Sequence, residues 1–290
     1  MSVEEPVMLN GHLDRPVTLE NRGDGPVVVK RYPNGGAAAI HTIMTALWSS
    51  PLGEARRPPG VPQPLALEGD RVVMEHVSGH ELGTRNEGWD GSHIAELIAL
   101  VADFNLCGVT VDRQRGATAL VRSLRRKHHE LTDQGASVEL LSEYHKALDA
   151  LRSTLPGLEP MVLSHGDCSP RNVIVSGCGL RLIDFDRLQM AGPARDVAYL
   201  GAWVWASGLL NEGRPSWELG DELLDRYNRQ LMLRRDGSAS MLIDAVAGTT
   251  PFHRSASLLR IAHGWSAMAA RPDLAIEVCV EARRLVSVQR

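Results

Sequence analysis

The stretch Ser164-His-Gly-Asp-Cys-Ser-Pro-Arg-Asn172, continued by Val173-Ile-Val175, a glycine turn and Leu180-Arg-Leu-Ile-Asp184-Phe-Asp186, decides the reading of this chain. Its centre, Arg171–Asp184, is a short β-like island in which two apolar runs joined by a glycine turn predict a hairpin. On both sides the apolar residues recur at helical spacing. Helices are expected over Ser92–Leu106, Thr118–Thr132 and Ser137–Thr154 before the island. After it they are expected over Val197–Leu210, Trp217–Arg234, Leu258–Ala270 and Leu274–Val288. The first third reads differently. Arg15–Glu20 and Pro26–Tyr32 are β-rich runs around the turn signal Asn21-Arg-Gly-Asp-Gly25, and Arg71–Val77 is a further strand. Ala37–Trp48 has Ile40, Met44, Leu47 and Trp48 at helical spacing, whereas Ser49–Pro64 holds five prolines and two glycines and reads as a loop. The expected class is α+β, with a small antiparallel β-sheet lobe over 1–76 and a larger helical lobe over 77–290.

Composition removes several alternatives. A chain of 290 residues with 43% hydrophobic content can bury a sizeable core, which excludes disorder for most of it. With 31 basic against 35 acidic residues the net charge is −4, so there is no basic footprint for duplex nucleic acid or an anionic membrane. Cys107, Cys168, Cys178 and Cys279 show no CxxC spacing, and neither a zinc site nor a disulfide framework follows. Met1-Ser-Val-Glu-Glu-Pro lacks the basic and apolar regions of a signal peptide, and no run of ~20 apolar residues is present. A soluble cytoplasmic protein is expected, without nucleic-acid or membrane partners.

The chemistry lies in the opening stretch. Asp167 and Asn172 are five apart, and Asp184 follows twelve residues after Asn172. Each alone reads as a turn residue or a helix cap. Their combined spacing singles them out, because two carboxylates and an amide beside short apolar strands can converge on one point. Phosphoryl transfer needs such a set: one carboxylate takes the proton of the attacking hydroxyl, while a carboxylate and an amide oxygen hold Mg²⁺ against a triphosphate.

These residues resemble the aminoglycoside phosphotransferase and choline kinase family, whose signature is His-Gly-Asp-x4-Asn followed by Ile-Asp-Phe/Trp-Asp/Glu. The resemblance implies a protein-kinase-like fold and an ATP- and Mg²⁺-dependent phosphotransferase. Its acceptor would be a hydroxyl of a small molecule such as an aminated sugar, an aminoglycoside-like antibiotic or a related natural product. It implies Asp167 as catalytic base, Asn172 and Asp184 as magnesium ligands, His165 as a loop support and Asp196 as a structural acid. Further out, Val27-Val-Val-Lys30 resembles the strand whose lysine grips phosphates. Val72-Val-Met74-Glu75-His-Val77 resembles the edge along adenine, where the Glu75 carbonyl and Val77 amide would bond the base with Met74 packed nearby.

Two departures stand out. The family carries a glutamate on the first helix that pairs with the strand lysine, yet no Asp or Glu lies between Lys30 and Glu54. Lys30 is therefore expected to be held loosely, with only His41 or Glu54 within conceivable reach. The phosphate loop Asn10-Gly-His-Leu-Asp-Arg15 has a single glycine. Asp186, Trp203, Trp205, Glu212, Trp217, Glu218, Asp221, Glu222 and Asp225 are candidates for the acceptor face, and the acids among them suit a cationic acceptor. Two alternatives remain open: a kinase of Ser or Thr in a biosynthetic peptide, and a nucleotide-binding regulatory pseudokinase.

Overall fold

The computed structural model describes residues 7–10, 15–23, 25–83, 91–233, 238–268 and 271–287. The chain divides into two compact units, Met1–Val111 with Arg171–Arg187, and Asp112–Pro170 with Leu188–Arg290.

The first unit is built on an antiparallel sheet of β1 (Val7–Asn10), β2 (Val17–Arg22), β3 (Gly25–Arg31), β4 (Pro64–Glu68) and β5 (Arg71–Glu75), in the order β1-β2-β3-β5-β4. Strand β3 carries three successive valines, which favour the pleated backbone. Alternation then sorts its side chains: Val27 and Val29 pack with Val73 and Ala66, which sends Val28 and Lys30 to the other face. The register sets Lys30 between Val17 and Val72. Strands β1 and β4 were not anticipated. Pro64 opens β4, a position where a missing N–H is tolerated. Helix α1 (Ala37–Trp48) forms as its spacing predicts, burying Met44 and Leu47. Of the expected phosphate loop, residues 11–14 lie outside the described residues, as does Asp24 of the first hairpin.

The β island closes this unit. Strands β6 (His80–Glu81), β8 (Val173–Ser176) and β9 (Gly179–Leu182) form a three-stranded sheet, β6-β8-β9. Helix α2 (Gly91–Asn105) ties to it through Glu96, whose carboxylate accepts the Leu180 amide at 2.8 Å. After β9 the chain enters a 3-10 turn, Phe185–Arg187, anchored by Phe185 stacked on Phe104 of α2.

The second unit is mainly helical: α3 (Ala117–Asp133), α4 (Val138–Arg152), α5 (Arg195–Glu212), α6 (Glu218–Met232), α7 (Ala239–Met268) and α8 (Pro272–Ser287). One short antiparallel pair, β7 (Val162–Ser164) with β10 (Gln189–Ala191), accompanies them. Ser137 caps α4 by accepting the Leu140 amide. Leu124, Leu131, Tyr144, Leu151, Leu259 and Val278 are fully enclosed in one core from α3, α4, α7 and α8. Helix α7 corrects the sequence reading, which began it at Leu258: it runs through Pro251 and starts at Ala239. Among the described residues, no helix is long and apolar enough to cross a membrane.

Candidate active site

Lys30 and the β5 edge border a cavity of about 530 Å³ in the first unit. Val17, Val28, Ile40, Met44, Met74, Ile174 and Ile183 supply apolar walls. Lys30, Glu75, Asn172 and Asp184 supply polar groups, and Val77 and Gly79 also border it. Every residue expected to meet a nucleotide or metal, Lys30, Met74, Glu75, Val77, Asn172 and Asp184, therefore lines this one cavity. Glu75 is fixed there, since its carboxylate accepts Arg181 Nη1 at 2.7 Å and the Gln63 amide at 3.0 Å.

Lys30 is only 8% exposed, and a buried ammonium needs anionic partners. It has two: Asp184 Oδ1 at 2.6 Å and Asp186 Oδ2 at 2.8 Å. The expectation of a loosely held Lys30 is thus corrected. The anions come from the turn after β9, and α1 contributes none. Asp186 is corrected too, from an acceptor-face candidate to a partner of Lys30. It also accepts the Tyr32 hydroxyl at 2.7 Å and Arg15 Nη1 at 2.8 Å. Burial works to raise the Asp186 carboxyl, but the charge and hydrogen bond of Lys30 outweigh it, and its pKa ends below the usual aspartate value. Burial, then the Asp186 charge, push the Tyr32 phenol far up.

Asp184 has φ 64°, the one non-glycine residue with positive φ among those described. Aspartate is among the few residues that tolerate this region. The conformation turns the chain out of β9, while the Ile183 amide bonds the Asn172 carbonyl at 3.0 Å. The oxygens of Asn172 and Asp184 are hard donors of the type Mg²⁺ prefers, so the residues present fit that ion.

In the second unit, Asp167 follows β7 in a loop held by Asp196 at the first turn of α5. Asp196 is 2% exposed and accepts Ser164 Oγ at 2.9 Å, the His165 amide at 2.9 Å and the Gly166 amide at 3.3 Å. His165 is fully buried beside it. Asp167 itself accepts Arg260 Nη2 of α7 at 3.1 Å, and Arg260 Nη1 donates to the Gly166 carbonyl at 2.9 Å. The guanidinium lies 4.3 Å from the ring centroid of Tyr199. Burial raises the Tyr199 phenol, against the pull of Arg260. Sequence reasoning missed Arg260 and Tyr199, because no local spacing links them to Asp167.

Two of the acceptor-face candidates, Trp205 and Trp217, pack against each other. Trp205 is buried and stacked on Trp217 at 6.0 Å, and Arg254 of α7 covers the Trp217 ring at 4.5 Å. Asp221 pairs with Arg254 and Glu222 with Arg226, whereas Glu212, Glu218 and Asp225 are exposed on α5 and α6.

A sequence model of the phosphotransferase enzyme family matches residues 10–231. The chain belongs to that family and is a phosphotransferase, as the motifs around Asp167 and Asp184 led one to expect. Solved structures repeat the fold. A thermostable mutant of aminoglycoside phosphotransferase APH(4)-Ia, in a ternary complex with AMP-PNP and hygromycin B, is 12% identical, with 99% of this chain and 94% of that one covered at a TM-score of 0.67. A choline/ethanolamine kinase family protein from Mesorhizobium loti is 14% identical over 98% and 92% of the two chains, at 0.63. A fructosamine-3-kinase, so described putatively, from Thermobifida fusca is 20% identical over 98% and 94%, at 0.58. At these identities the likeness is one of fold, and it is the protein-kinase-like α+β fold expected from the sequence. No curated protein matches the chain in sequence.

Proposed function

We propose that this phosphotransferase uses ATP and Mg²⁺ to phosphorylate a hydroxyl of a small molecule, with an aminated sugar or related natural product as acceptor. The observation that carries the reading is the shared cavity of Lys30, Asn172, Asp184 and the β5 edge. In it the base would lie along Met74, Glu75 and Val77, bonded by the Glu75 carbonyl and the Val77 amide, and Lys30 would neutralise phosphate as a point charge. Asn172 and Asp184 would hold Mg²⁺, which supplies charge neutralisation for the triphosphate when bound. Asp167 would orient the acceptor hydroxyl and take its proton as the terminal phosphoryl group passes to the acceptor oxygen and ADP departs. Cytoplasmic residence is part of the reading, and the four free cysteines agree with it.

The exposed acids Glu212, Glu218 and Asp225 are what favours a cationic acceptor. The two carboxylates on Lys30 supply the anions that α1 lacks, which counts against the regulatory pseudokinase alternative. Calorimetry with AMP-PNP, with and without Mg²⁺, should give metal-dependent binding. Aminoglycosides, amino sugars, choline, neutral sugars and Ser-containing peptides can then be screened for ATP-dependent mass gain. Phosphorylation confined to neutral sugars or peptides overturns the cationic acceptor, and nucleotide binding without turnover on any acceptor overturns the enzymatic reading.

A further inference from the structure

Lys30 has two carboxylates on its ammonium, and they are not equivalent. The Asp184 side chain is 41% exposed, lines the cavity with Asn172 and sits on a left-handed backbone. It is the carboxylate proposed to turn to the metal, a role that competes with its bond to Lys30. The Asp186 side chain is 10% exposed and is not among the residues lining the cavity. Three donors fix it: Tyr32 on one oxygen, and Arg15 and Lys30 on the other. Two of these donors are charged, and bonds of that kind are about twice as strong as neutral ones. Nothing on α1 can share the task, because Ala37–Trp48 contains no acid.

The geometry points to Asp186 as the positioning residue for Lys30: a braced carboxylate that keeps the ammonium directed into the cavity when Asp184 is engaged elsewhere. Tyr32 and Arg15 are its braces. The inference rests on the nucleotide reading above and adds a residue that touches neither nucleotide nor metal. It explains how β3 can present a buried lysine beside a helix without acids.

The test uses the full chain and AMP-PNP. Asp186→Asn keeps the side-chain shape and removes the charge. Its affinity for AMP-PNP with Mg²⁺ should fall about 10–100-fold, the range for losing a bond to a charged group, with KM for ATP rising by a similar factor and KM for the acceptor unchanged. A carboxylate restored from α1 should recover part of this. Ile40 and Met44 line the same cavity as Lys30, so Ile40→Glu or Met44→Glu is combined with Asp186→Asn. Affinity within 2-fold of wild type in Asp186→Asn, or a loss that neither glutamate recovers, overturns the assignment; the latter marks Asp186 as merely structural. Should Asp186→Asn fail to fold, Tyr32→Phe removes one brace and retains every charge. It should raise KM for ATP about 3-fold, and an unchanged KM counts against the inference. Wild-type protein that binds no AMP-PNP would overturn the nucleotide reading itself, an outcome distinct from binding that ignores Asp186.

Discussion

Asp167 would serve as a proton acceptor while a permanent cation bonds its carboxylate. Arg260 restricts how that carboxylate can turn, and its second bond, to the Gly166 carbonyl, ties the restraint to the loop itself. The role that follows for Arg260 is orientation. Asp167→Ala should lower turnover about 10²–10⁴-fold with AMP-PNP affinity nearly intact, since a base acts on the acceptor. Arg260→Met should also lower kcat, by about 10-fold or more, and leave nucleotide affinity unchanged. Equal kcat in Arg260→Met and wild type would remove it from the mechanism. Asp184 allows charge and conformation to be separated, because asparagine also tolerates positive φ. Asp184→Asn should lower the melting temperature only by what the lost Lys30 ion pair contributes, and lose the Mg²⁺-dependent part of nucleotide binding. Asp184→Val should lose the same binding and a further ~1–3 kcal/mol of stability from strain at φ 64°. The sequence motifs marked Asp167, Asn172 and Asp184 because their spacing is local. The partners Arg260 and Asp186 were invisible or misassigned, since which side chain meets a carboxylate across 93 or 156 residues is set by packing.

The elements show the same division. The valine run of β3 and the helical spacing of α1 and α2 are local signals, and the corresponding elements formed. Helix α7 was under-read because Gly248 and Pro251 look like breakers. Proline does cost a backbone bond there, but Phe252, Ala256 and Leu259 are buried in the core. Tertiary packing thus outweighs propensity. Gly79 is an opposite case, a short signal with a strict structural demand. It precedes β6 with φ 158°, and a Cβ there would stand 2.2 Å from the Val175 carbonyl and 2.8 Å from Ile174 Cγ2. Gly79→Ala must therefore push β6 away from β8. The expected cost is about 1–3 kcal/mol, with weakened AMP-PNP binding because Gly79 and Val77 border the cavity. Urea melts and calorimetry on the one variant check both, and an unchanged melt would show that the strand can shift freely.

At the scale of the whole molecule, one contribution to the response to acid comes from a buried pair that no sequence pattern announces. Glu159, in the segment before β7, accepts or shares a proton with His253 Nε2 of α7 at 2.9 Å, and the two side chains are 5% and 2% exposed. Gly192 also closes on it, since a Cβ at that position would lie 2.3 Å from Glu159 Oε1. Burial works to raise the Glu159 carboxyl, but the bond and charge of His253 outweigh it, and the folded pKa lies below the ordinary 4.5. The sign follows from linkage. A carboxyl with a lowered folded pKa contributes stability in full above its unfolded value, and that contribution disappears as pH falls through the folded value. Glu159→Gln preserves the shape and removes the titration. It should be less stable than wild type at pH 7 by about 1–3 kcal/mol, the range for a disrupted buried bond. Below about pH 4.5 the wild type begins to lose its advantage, and the two stability curves should converge as pH falls through the lowered folded value. Urea midpoints at pH 7, 5, 4 and 3 measure the gap directly. A gap that stays constant over this range would mean that Glu159 contributes through shape alone, and that the acid response of this enzyme resides in its other carboxylates.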